Sequence, residues 1–334
     1  MGPLASLRIV EFEGLGPAPF AAMTLSDLGA RVTRITRAGA RTRPPTFLNR
    51  GRDDVPLDLK TEAGIIDAMA LIAEADVLVE GFRPGKMESL GLGPADCAGL
   101  NPKLVYARMT GWGQAGPLAH LAGHDINYLG LSGVLSLLGE PDRPPRAPLN
   151  LISDFGGGGM YLALGILAAV MQARETGTGC IVDAAMVHGT AHLASMPQAW
   201  MADGRYSGGR GDNVLDGGAP FYRCYVTADG GYMAVGALEP VFFRALVEAL
   251  DLDRAYLDGQ NDRSLWPLIE ADIAERFAGR NRDHWTAVFR EIDACVSPVL
   301  SMAEAQAHPQ MQDVFAMRDG VLQPTPAPRI LPLA

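Results

Sequence analysis

The first third of the chain alternates strand and helix signals, and that alternation restricts the fold more than any other feature. Leu7-Arg8-Ile9-Val10-Glu11-Phe12 reads as a strand, Pro19 to Leu28 has helical spacing closed by Gly29, and Arg31-Val32-Thr33-Arg34-Ile35 returns as a strand. Strand, helix and strand in that order make a βαβ unit, and hence a parallel sheet. The pattern repeats through a helix from Thr61 to Ala75, a strand from Asp76 to Glu80, a short helix near Pro94 to Gly99 and a strand from Lys103 to Ala107. An open, doubly wound α/β sheet follows. Gly14-Leu15-Gly16 sits where a dinucleotide fingerprint would begin, but Pro17-Ala18-Pro19 replaces its third glycine. These glycines read as the strand-to-helix turn and not as an NAD site.

After Tyr128 the pattern turns helical. Met160 to Met171, interrupted by Gly165, reads as a buried helix, and no apolar segment looks long enough to span a bilayer. The start lacks the basic and apolar regions of a signal peptide. From Met201 to Pro220 the composition shifts to Gly, Asp and Arg, which marks a linker. Phe221 to Val226 and Tyr232 to Gly236 flank the hairpin signal Ala228-Asp229-Gly230-Gly231, and helices follow from Val241, Leu265 and Arg282. The expected organisation is a large domain over 1–190, a linker over 191–219, a smaller α+β domain over 220–300 and a linker over 301–314. The Pro-rich end, 315–334, then runs back to join the large domain.

A chain of 334 residues, 48% apolar, can bury two such cores. Its charge, 28 − 38 = −10, argues against nucleic acid or an anionic membrane as partner, since both need a basic footprint. A polyanionic small ligand would need a local basic pocket. Cys97, Cys180, Cys224 and Cys295 are far apart in sequence, with no metal-ligand spacing. They read as reduced core residues of a cytoplasmic protein, with no metal.

Two groups suited to proton transfer stand out. His124 comes just before the helical run Asp125-Ile126-Asn127-Tyr128, and Asp154 enters the glycine run Gly156-Gly157-Gly158-Gly159. Both sit where backbone amides gather, so each could work on a carbon beside a polarised carbonyl. The plainer readings are a capping or core histidine, and an aspartate that N-caps a helix starting near Met160.

Four motifs decide between these readings by resemblance: Gly111-Trp112-Gly113-Gln114-Ala115-Gly116-Pro117, Gly123-His124-Asp125-Ile126-Asn127-Tyr128, Asp154-Phe155-Gly156-Gly157-Gly158 and Val182-Asp183-Ala184-Ala185-Met186. With Glu80-Gly81-Phe82-Arg83-Pro84-Gly85, Asp216-Gly217-Gly218-Ala219-Pro220 and Glu239-Pro240, they resemble the family III (CaiB/BaiF-type) CoA-transferase superfamily. Within it they are closest in kind to the α-methylacyl-CoA racemases, over nearly the whole chain. The resemblance implies a large Rossmann-like, CoA-binding domain, a small domain, and an interlocked homodimer with its active site between the large domain of one subunit and the small domain of the other. It implies that His124 and Asp154 are the two catalytic bases and that Glu239 pairs with the histidine. Asn150 would hydrogen-bond the aspartate, with Asp125 and Tyr128 as supporting residues. Arg37, Lys60 and Arg83 would contact the CoA phosphates. No cofactor is implied, since CoA is part of the substrate.

The expected reaction is racemisation of 2-methylacyl-CoA thioesters in lipid and fatty acid metabolism, by 1,1-proton transfer through an enolate. One base removes the α-proton from one face and the other delivers a proton to the opposite face. The competing expectation is a CoA-transferase in which Asp154 attacks the thioester and carries an acyl anhydride; a transferase has no need of the His124 and Glu239 pair. A non-catalytic acyl-CoA-binding protein is a third reading. Met186, Met196 and Met201 could line an adaptable acyl pocket. Gly51-Arg52-Asp53-Asp54 departs from the apolar strand usual in the family, which puts the loop near the adenine end in question. Leu331-Pro332-Leu333-Ala334 is not a peroxisomal address.

Overall fold

A computed structural model of the protein describes residues 2–39, 47–206, 209–318 and 320–333. Positions 207–208 of the expected linker and the terminal Ala334 lie outside the described residues.

The chain forms two compact units. The first comprises the residues up to Leu135, Ala147–Met196 and the chain from Ala316 on. Its sheet has six parallel strands: β1 (Arg8–Phe12), β2 (Arg31–Arg37), β3 (Arg52–Leu57), β4 (Val77–Glu80), β5 (Val105–Thr110) and β6 (Ile181–Ala185), in the order β3-β2-β1-β4-β5-β6. The order reverses between β1 and β4, which opens a crevice at the carboxyl ends of those strands. Along each central strand successive residues enter opposite faces, because the side-chain period is two. Ile9, Val77, Val79 and Val105 pack under helices α1 (Pro17–Asp27) and α6 (Tyr161–Thr176). Val10, Phe12, Leu78 and Tyr106 pack on the other side. There they meet Ala68 and Ile72 of α2 (Glu62–Ala73), Met87 of α3 (Lys86–Ser89) and Cys97 of α4 (Pro94–Leu100).

β3 corrects one expectation. The charged run after Arg50, which departs from the family's apolar strand, is a strand all the same; Arg52–Leu57 pairs in register with β2 as the edge strand. Edge strands tolerate charge, and here Arg52 and Asp54 are paired. Arg34 holds Asp54 at 2.7 Å, and Arg52 turns inward to Glu11 at 2.9 Å with both side chains buried. An alternation of charge with Val55 and Leu57 hides a strand from any reading by apolar run.

The glycine run corrects a second. Leu151–Met160 is a π-helix that leads directly into α6, so Asp154 lies inside the helix and is not its N-cap. α7 (Met186–Leu193) and α1 press against this stretch. A Cβ on Gly157 would lie 2.7 Å from the Thr190 nitrogen, and one on Gly159 would lie 2.7 Å from the Phe20 ring. The glycines are there for close approach.

Together the π-turns and α6 make a 26-residue apolar helix, Leu151–Thr176. Contrary to expectation, its length and composition would suffice to cross a membrane, yet it packs on β5, β6, α1 and α7 as a core helix. Its outward side carries Met160, Leu164 and Met171, so the helix is not wholly buried.

The second unit comprises Ser136–Arg146 and Pro197–Phe315. β7 (Tyr222–Val226), β8 (Tyr232–Gly236) and β9 (Val296–Pro298) form an antiparallel sheet. Helices Pro240–Ala249, Trp266–Ala278 and Arg282–Phe289 close its core around Phe221, Phe243, Phe277 and Trp285. The cysteines are all free, but only Cys97 is buried; Cys224 and Cys295 are exposed, contrary to the core role expected of them.

Candidate active site

The first βα turn carries the chain from β1 through Glu13–Gly16 into α1. Gly16 has φ 71°, a conformation that glycine adopts without steric cost, and a Cβ placed on it would stand 3.7 Å from Asp154 Oδ2. The Asp154 carboxylate therefore lies against this turn, at the carboxyl end of β1 and beside the crevice. Asn150, immediately before the π-helix, donates from Nδ2 to the same oxygen at 3.4 Å.

His124 is the N-cap of α5 (Asp125–Leu131). Its N–H donates to Asn127 Oδ1 at 3.0 Å, and its carbonyl accepts from the Asn127 N–H at 2.8 Å. The backbone is thus fixed while the imidazole stays exposed. Asp125, the next residue, is buried, and its Oδ2 accepts the N–H groups of Ser153 at 2.7 Å and Asp154 at 2.8 Å. The two glycine-flanked motifs are joined at this carboxylate. Tyr128, one turn on, meets Trp112 edge to face with ring centroids 4.7 Å apart. A Cβ on Gly111 or Gly123 would come within 2.3 and 2.8 Å of the Tyr128 ring system. Both motif glycines leave room for it.

Burial pushes the Asp154 carboxyl above the usual aspartate range. The Asn150 hydrogen bond works against that shift, the negative charge of Asp125 adds to it, and the nearby His124 opposes it. Burial likewise pushes the Tyr128 hydroxyl up to about 12, with the charges of Asp154 and Asp125 adding. A carboxyl inclined to keep its proton, with an imidazole in electrostatic reach, can exchange a proton with a carbon acid placed between them.

Beside this pair a cleft of 560 Å³ opens at the carboxyl ends of β1, β2 and β3. Arg37 and Lys60 line it, together with Leu15, Leu59 and Phe82. Lys86, which sequence reasoning missed, lines it as well. Arg83 does not line the cleft; it is exposed, and its carbonyl accepts the Lys86 N–H at 3.0 Å. The available signal was Gly85, whose φ of 81° ends one segment and starts α3, so that Lys86 is the first residue of that helix. Met186, expected to line a pocket, is buried in the core, within 2.8 Å of where a Gly158 Cβ would stand. Among the described residues no His, Cys, Asp and Glu side chains are grouped to hold a metal.

The profile of CoA-transferase family III matches residues 4–332. The chain belongs to CoA-transferase family III. It is 44% identical to a Mus musculus protein named alpha-methylacyl-CoA racemase, over 97% of this chain and 85% of that protein. To an Acetobacter aceti acetyl-CoA:oxalate CoA-transferase it is 30% identical, over 97% of this chain and 88% of the other. Its fold is similar to the crystal structure of a CAIB/BAIF family protein from Brucella suis, with TM-score 0.82, 27% identity, and 98% and 93% of the two chains covered.

In this family III chain His124, Asp125, Tyr128, Asn150 and Asp154 all belong to the first unit. Glu239 belongs to the second. There it is the exposed N-cap of helix Pro240–Ala249, where a carboxylate complements the helix dipole; burial pushes the nearby Cys295 thiol up, with the charges of Asp293 and then Glu239 adding.

Proposed function

We propose that this family III protein is an isomerase, a 2-methylacyl-CoA racemase that interconverts 2R and 2S thioesters by 1,1-proton transfer through an enolate. The observation that carries the reading is the pairing of an exposed histidine with an aspartate whose carboxyl is pushed upward by burial, in one unit, in a chain 44% identical to a named racemase. The thioester acidifies the α-carbon. His124 serves one face of that carbon and Asp154 the other. Backbone N–H groups at the start of α5 supply hydrogen bonds to the enolate oxygen. Asn150 holds the Asp154 carboxylate in place, Tyr128 packs beneath the site, and Glu239 orients His124.

The CoA portion occupies the cleft beside β1, with Arg37, Lys60 and Lys86 facing its phosphates and Arg83 just outside. No resident cofactor is needed. The protein acts as a homodimer, with Glu239 of one subunit meeting His124 of the other, and the exposed Met160, Leu164, Met171 and Ile181 of the first unit support a large self-contact. Neither nucleic acid nor membrane is a partner, and the place of action is the cytoplasm, in lipid and fatty acid metabolism.

A second reading has the family's name in its favour: Asp154 as the nucleophile of a CoA-transferase. The two differ in what happens to a single epimer. Incubation of (2R)-2-methylacyl-CoA, followed by chiral chromatography of the released acids, is expected to drift to a mixture of both epimers, and Ala at His124 or Asp154 should stop the drift. An unchanged 2R sample under conditions where CoA moves to a free carboxylic acid would refute the racemase.

A further inference from the structure

The catalytic pair is spread over two elements, α5 and the π-helix, and Asp125 is where they meet. Its carboxylate is 4% exposed, and Oδ2 takes both the Ser153 and the Asp154 N–H, at 2.7 and 2.8 Å. The anchorage continues inward. Ser153 Oγ and Thr190 Oγ1 lie 2.8 Å apart and Thr190 Oγ1 lies 2.7 Å from the Met186 carbonyl, all within the core. A chain in which Ser153 donates to Thr190, and Thr190 to Met186, satisfies each of these groups and ties α5, the π-helix and α7 together.

The other oxygen, Asp125 Oδ1, is buried with no hydrogen-bond partner among the described residues. A buried carboxylate left half satisfied is costly. A neutral Asn could accept the same two N–H bonds, so the clamp alone does not account for the charge. The groups facing the Asp154 carboxyl are Asp125, His124 and Tyr128 from α5, and Asn150 from its own segment. Of these, Asp125 is the carboxylate whose charge favours a proton on Asp154.

We propose that Asp125 is a positioning residue for the proton-transfer pair, whose buried carboxylate fixes the Asp154 backbone relative to His124. The role rests on the proposed function, since it matters only if Asp154 handles a proton. Misplacement by about 1 Å costs a reaction of this kind on the order of 100-fold.

The test compares wild type, Asp125→Asn and Asp125→Ala by α-deuterium incorporation into 2-methylacyl-CoA across pH, with amide hydrogen exchange at Ser153 and Asp154 read in parallel. Asn keeps the acceptor and removes the charge. It should retain amide protection and most of the rate, while the limb of the pH profile set by Asp154 moves to lower pH. Ala removes both; kcat should fall by about 100-fold with KM little changed, and protection at the two amides should be lost. An Asn variant with an unmoved pH profile, which would place the carboxylate away from Asp154, or a folded Ala variant with wild-type kcat, overturns the proposal. If wild type itself incorporates no deuterium, the racemase reading fails and the positioning role with it. Should Ala not fold, the Asn profile alone decides.

Discussion

Asn150 donates its side-chain amide to the very oxygen of Asp154 that faces Gly16. This hydrogen bond is the main influence holding the Asp154 proton affinity down against burial. Removing it by Asn150→Ala should raise the Asp154 pKa further, so the pH at which that carboxyl ionises moves up. A pH series of kcat should show the Asp154 limb displaced to higher pH, with the maximal rate reduced about fivefold, the value of a hydrogen bond near 1 kcal/mol. A limb that moves down would contradict the assignment.

Glu80, at the end of β4, is pushed up to about 7 by burial, against the opposing Phe82 N–H and Arg108. Because its folded pKa lies above the ordinary 4.5, the native state holds this proton more tightly than the unfolded chain. Stability from this group is full below pH 4.5 and is lost as pH rises towards 7, on the order of 3 kcal/mol in all. Glu80→Gln carries no such titration. Urea denaturation at pH 5 and pH 7.5 should show wild type losing stability relative to the variant over that interval; a constant difference would show that Glu80 is ionised throughout.

Lys86 lines the cleft and Arg83 does not. Lys86→Ala should weaken CoA binding about tenfold, the lower end of a hydrogen bond to a charged group. Arg83→Ala should have a much smaller effect. Calorimetric titration with CoA separates them, and the reverse ranking would move the phosphate site out of this cleft.

Gly189 and Gly157 pack with almost no space between α7 and the π-helix; a Cβ on Gly189 would fall 1.8 Å from the Gly157 carbonyl oxygen. Gly189→Ala should cost about 3 kcal/mol of stability or more, since backbone must move to admit it. Thermal unfolding reads this directly, and an unchanged Tm would mean that the helices are not in contact there.

The sequence made β1, β4 and β5 legible because buried parallel strands are near-continuous apolar runs between turn signals, and β2 legible through its β-branched Val32, Thr33 and Ile35. β3 escaped because an edge strand can be charged, and nothing local shows that Arg52 pairs with Glu11. The π-helix escaped because glycines read as a break in a helix; here they are spaced for contact with Pro17, Phe20 and Thr190, which are distant in sequence. The histidine and the aspartate were visible as residue types, and the resemblance marked Asp125 as a supporting residue, but its joining of their two backbones was not legible. Asp125 looks like any first-turn acid until its burial and its two bonds to the π-helix are seen.

The most direct test of the account is proton NMR of (2R)-2-methylacyl-CoA with the protein in D₂O, with a free carboxylic acid present as acceptor. Deuterium at the α-carbon, appearance of the 2S epimer and no movement of CoA are the results the account predicts. CoA passing to the acceptor while the α-proton stays in place would contradict it, and would make Asp154 a nucleophile.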